Sequence, residues 1–113
     1  GKNSSVLYRG SRARSLAPIY DVLSTEVYGN LSRVNAMSVG GARRLEDVTR
    51  DSLAAMAKEV DMRPAVVLAR ADRLARAIVP AARELSEELS GSWPSDVYAK
   101  IVAVIEGHCR QIA

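Results

Sequence analysis

From Val67 onward, apolar residues recur in alternating steps of four and three: Val67, Ala71, Leu74, Ile78, Ala81, Leu85 and Leu89. A repeat of seven sustained over three heptads fits only an α-helix with one apolar stripe. Pro64 suits the first turn of such a helix, where its missing N–H costs nothing. Gly91 and Pro94 mark its end. Pro80 lies inside the repeat, and a kink is expected near Ile78.

Two shorter stripes flank this helix. Leu53, Met56, Ala57 and Val60 follow i, i+3, i+4, i+7 spacing behind Thr49, a good N-cap, with Asp51 in the first turn. Val97, Ile101, Val104, Ile105, His108 and Ile112 form another stripe, with Ser92 or Ser95 placed to cap it. The chain has seventeen alanines and no phenylalanine, which favours closely approaching helices over a sheet. The expectation is a mainly α fold, a three- to four-helix bundle with a short N-terminal hairpin or extended segment. The heptad stripe then serves as internal core, with a homodimer seam as the other use for it.

At 113 residues the chain fits one domain, residues 1–113. Three segments divide it: 1–24, 25–48 and the helical 49–113. The single cysteine, Cys109, forms no internal disulfide and gives no metal-ligand spacing, which suits a reducing cytoplasm. No secretory h-region stands near the first residues, and no apolar run approaches the length of a membrane span. The net charge of +3 is mild. Arg70, Arg73, Arg76 and Arg83 lie off the apolar stripe, but Asp72, Glu84, Glu87 and Glu88 dilute them. Direct nucleic-acid contact is therefore not expected. His108 and Cys109 project about 100° apart on a helix and make a poor chelate, so His108 reads as a packing residue. Trp93, before Pro94, reads as a staple between helices.

The first 48 residues are patterned differently. Val6-Leu7-Tyr8 reads as a strand and Arg9-Gly10-Ser11 as a turn, with Arg14-Ser15-Leu16 as a weak returning strand. Pro18 is expected to open a short helical stretch over Ile19–Ser24. Residues 25–48, with turn signals at Gly29-Asn30 and Gly40-Gly41, read as a long ordered loop.

Three phrases in this region resemble the HipA-like serine/threonine kinases. Gly1-Lys2-Asn3-Ser4-Ser5-Val6-Leu7-Tyr8 looks like the end of that family's catalytic loop, His-(Ala/Gly)-Lys-Asn-x-Ser. Leu16-Ala17-Pro18-Ile19-Tyr20-Asp21-Val22-Leu23-Ser24 is similar to its Leu-(Ala/Thr)-Pro-x-Tyr-Asp-(Leu/Val)-Leu. Ala36-Met37-Ser38-Val39-Gly40-Gly41 resembles a downstream Met-Ser-(Ile/Val)-(Gly/Asn)-Gly. The three occur in order over residues 1–41. The resemblance implies that Asn3 and Asp21 are Mg²⁺ ligands, with Lys2 on the phosphate side of the catalytic loop, and that the parent protein uses ATP. Hard cations bridging nucleotide phosphates need such oxygen donors. It also implies a toxin of a toxin–antitoxin pair. Its partner would be a helix-turn-helix antitoxin, and its protein substrate would be of the aminoacyl-tRNA synthetase type.

In kinases the catalytic aspartate precedes the metal-binding asparagine by five residues, and that count passes the first residue here. Neither a G-x-G-x-x-G nor a G-x-x-x-x-G-K-[ST] loop occurs. The expectation is a C-terminal piece of a kinase, inactive alone, supplying metal ligands and a helical platform. The alternative is a non-enzymatic helical module that binds a partner protein or nucleic acid.

Overall fold

A computed structural model of the chain describes residues 3–20, 22–92 and 95–113. Two antiparallel hairpins precede three helices. The first hairpin pairs β1 (Val6–Arg9) with β2 (Ala13–Leu16), and the second pairs β3 (Val34–Val39) with β4 (Ala42–Arg44). The helices are α1 (Arg50–Glu59), α2 (Pro64–Glu88) and α3 (Ser95–Gln111). Short 3₁₀ turns at Thr25–Val27 and Leu45–Asp47 lead into β3 and α1 respectively.

The fold is thus mixed α and β, which corrects the expected mainly α bundle. The segment read as a loop, residues 25–48, contains the second hairpin. Its turn is Gly40-Gly41 between the paired residues Val39 and Ala42. Both glycines have positive φ, 53° and 87°. Two central residues with positive φ make the two-residue turn whose twist matches the flanking strands. The strands escaped notice because they are short and irregular. The register slips between Val34 and Val39, and β4 is only three residues long. The expected helix over Ile19–Ser24 is also absent among its described residues. The first helical turn in this region is the 3₁₀ turn at Thr25–Val27.

Helices α1 and α2 start where the sequence places them, whereas α3 begins at Ser95 itself rather than after a serine cap. The Thr49 side chain accepts from the Ser52 N–H, and the Ser52 hydroxyl accepts from the Thr49 N–H, a reciprocal cap. Helix α1 ends with Asp61 at φ 55°, where Met62 N–H bonds Ala57 O and Asp61 N–H bonds Lys58 O. These paired bonds satisfy the last carbonyls of the helix. Helix α2 begins at Pro64 and remains helical through Pro80.

Helix α2 is the spine: α1 and α3 both pack on it, and β3 packs on α1. Gly40 sits so close to α1 that a Cβ there would run into the Ser52 backbone. The core is thin. Val48 and Ala57 are the buried apolar residues among those described. The heptad stripe is only partly covered, since Leu74 and Leu85 remain 64% and 53% exposed. Polar contacts supplement this core. Arg50 Nη1, on α1, donates to Asp72 Oδ1 on α2 at 2.6 Å and to Ile112 O at 3.0 Å. The two hydrogens of Gln111 Nε2 are shared among Leu45 O, Glu46 O and Val48 O, at 3.0, 2.7 and 2.6 Å.

Candidate functional site

Asn3, one of the residues expected to carry chemistry, lies at the base of the first hairpin. Strands β1 and β2 pair in register, Val6 with Leu16 through Arg9 with Ala13. Gly10, at φ 72°, supplies the backbone freedom for the three-residue loop. The pairing continues one step beyond the strands, because Ala17 N–H donates to Ser5 O at 2.8 Å. The Ser5 and Tyr20 hydroxyls then lie 3.5 Å apart. Segments 3–5 and 17–20 therefore meet at the open end of the hairpin, away from the Gly10 turn.

Asn3 is exposed in this position, two residues before Ser5. Lys2 and Asp21 lie outside the described residues, as does Trp93. Ser5 and Tyr20 are contacts that the sequence reading missed. Their neighbours Asn3 and Asp21 drew attention through the motifs, whereas a hydroxyl pair fifteen residues apart has no local signature. The donors that the motifs nominate, a carboxamide oxygen and a carboxylate, are hard oxygens of the kind that suits Mg²⁺.

Elsewhere the polar groups serve packing. His108 Nε2 lies 2.7 Å from Glu26 Oε2, joining α3 to the first 3₁₀ turn. His108 also lines an apolar cleft of about 380 Å³ with Cys109, Leu74, Ile78 and Ile105. Its packing role was legible in the helical stripe; its carboxylate partner, eighty-two residues away, was not. Among the described residues, no three His, Cys, Asp or Glu side chains group to hold a metal ion. Nor is any helix among them long and apolar enough to cross a membrane.

The family model of the HipA-like C-terminal domain matches residues 1–82, from the first hairpin into α2. The chain belongs to this family. The HipA-like chain is 33% identical over 90 residues to a Sinorhizobium fredii protein named "Putative kinase Y4mE". That match covers 80% of this chain and 21% of the relative. A second protein of the same organism, "Putative kinase Y4dM", is 26% identical over 116 residues, covering 98% of this chain and 26% of the relative. The HipA-like chain thus spans about a quarter or less of the length of these relatives. No solved structure matches it significantly.

Proposed function

We propose that this chain is the part of a HipA-like serine/threonine protein kinase that supplies the Mg²⁺ ligands Asn3 and Asp21 and a helical platform behind them. The observation that carries this reading is the closure of the first hairpin by the Ala17 N–H to Ser5 O bond of 2.8 Å. It brings the segment that begins with Asn3 to residues 17–20, which the motif aspartate directly follows in the sequence. Bound there, Mg²⁺ would neutralise charge on the nucleotide phosphates. Asp21 contributes a full charge toward the cation and Asn3 a neutral oxygen, so Asp21 is the stronger ligand. Lys2 would face the phosphates.

On this reading the whole protein transfers the γ-phosphate of ATP to a Ser or Thr hydroxyl of a protein in the cytoplasm. By the family resemblance, that protein is an aminoacyl-tRNA synthetase and the regulatory partner is a helix-turn-helix antitoxin. The 113 residues by themselves contain no match to the catalytic aspartate or to a phosphate-binding loop, and we expect no phosphoryl transfer from them alone.

Mn²⁺ substitutes for Mg²⁺ at oxygen sites and broadens nearby NMR signals. Titrating it into the chain should broaden the amides of residues 3–5 and 17–20 before those of α1 to α3. Asp21→Asn should remove the effect and Asn3→Ala should weaken it. Uniform broadening, or broadening unchanged in Asp21→Asn, would sink the metal-ligand assignment.

A further inference from the structure

The net positive charge of this protein lies in its first twenty residues. Residues 1–20 hold four of the sixteen basic side chains and none of the thirteen acidic ones. The remaining 93 residues carry twelve against thirteen, a net charge of −1. Three of the four cations, Arg9, Arg12 and Arg14, cluster around the Gly10 turn, at the opposite end of the hairpin from Asn3 and Tyr20. All three are exposed, and among the described residues none is paired with a carboxylate. Arg33, Arg44, Arg50, Arg83 and Arg110 each face one, and the other cations without an ion pair, such as Arg43, Arg63 and Arg70, stand on segments that also carry acidic residues.

An aromatic ring accompanies the cations. Tyr8 stands directly across from Arg14 in the strand register, and the guanidinium carbon lies 5.5 Å from the ring centroid. Tyr8 is 71% exposed. Unpaired arginines suit phosphate oxygens, which they meet with a planar fork of donors. An exposed tyrosine beside them offers a face on which a base can stack, and this combination of cations and aromatic platform is how single strands are held without sequence preference. An acidic protein surface would use the arginines but has no need of the ring.

We propose that the tip of the first hairpin is a contact site for single-stranded nucleic acid, with phosphates on Arg9, Arg12 and Arg14 and a base against Tyr8. The site is separate from the metal-ligand end of the hairpin and does not depend on the kinase reading. It also differs from the arginines of α2, which acidic neighbours dilute.

The test is fluorescence anisotropy of a labelled twenty-residue oligothymidylate with the full chain. Three phosphate contacts should give a log–log salt slope of about −2, a loss of roughly 20-fold in affinity between 50 and 200 mM salt. Replacing Arg9, Arg12 and Arg14 together by Gln should abolish binding, and Tyr8→Ala should weaken it by about fivefold or more. Helical circular dichroism checks the fold of each variant, and Arg12→Gln alone, in the turn, serves as the mildest perturbation. Absence of binding at low salt overturns the proposal. So does binding that survives the triple substitution but is lost in Arg70→Gln with Arg73→Gln. Polyglutamate displacing the oligonucleotide at equal charge would also overturn it, and would point to an acidic protein instead.

Discussion

Arg50 ties the three helical segments together. It starts α1, donates to Asp72 on α2, and reaches the carbonyl of Ile112 just beyond α3. The hydrogen bond from Arg50 holds the Asp72 carboxyl below the ordinary carboxylate range. The contribution to stability is therefore complete above the unfolded aspartate value of about 3.9 and is lost as pH falls through the lower folded value. Asp72→Asn should lower the melting temperature at pH 7, and the gap to the parent protein should narrow toward about pH 2.5. Thermal denaturation at the two pH values checks this, and a gap that does not change with pH would show that Asp72 acts through packing. None of this was readable beforehand. The sequence showed Asp72 only as a charge diluting a basic helix face, because its partner lies twenty-two residues away.

Among the elements, the three helices were legible and the second hairpin was not. Thr49, Pro64 and the apolar stripes are local signals, so the starts of α1 and α2 could be read directly. The strand Val34-Asn35-Ala36-Met37-Ser38-Val39 does not alternate cleanly, and its partner is three residues long. Only Gly40-Gly41 announced a turn, and a turn signal without strand signals reads as a loop. Its two glycines differ in a way that can be tested. Both need positive φ, which costs a residue with a Cβ about 1–2 kcal/mol, but only Gly40 also lies against the Ser52 backbone. Gly41→Ala should cost about that backbone penalty. Gly40→Ala should cost roughly 2 kcal/mol more, since neither the turn nor the capped start of α1 can yield cheaply. Chemical denaturation of the two variants makes the comparison, and equal losses would mean that β3 is not docked on α1 as described. At the candidate site, the motifs identified the two ends of the first hairpin from residues 1–41. The Ser5–Tyr20 contact that pins those ends required the fold.

At the scale of the whole molecule, a thin core is reinforced at its far end by polar contacts. Gln111 bonds three carbonyls around the 3₁₀ turn at Leu45–Asp47, and Ile112 O receives Arg50. Gln111 and Ile112 thus fasten the middle of the chain to its first helix. Gln111→Ala should release the carbonyls around the 3₁₀ turn together, a loss of about 1–2 kcal/mol and a fall in melting temperature on the order of 5 °C or more. The end of α3 and the start of α1 should therefore open as one unit, and in hydrogen exchange the amides of residues 53–56 and 108–111 should share one opening free energy, which Gln111→Ala lowers for both.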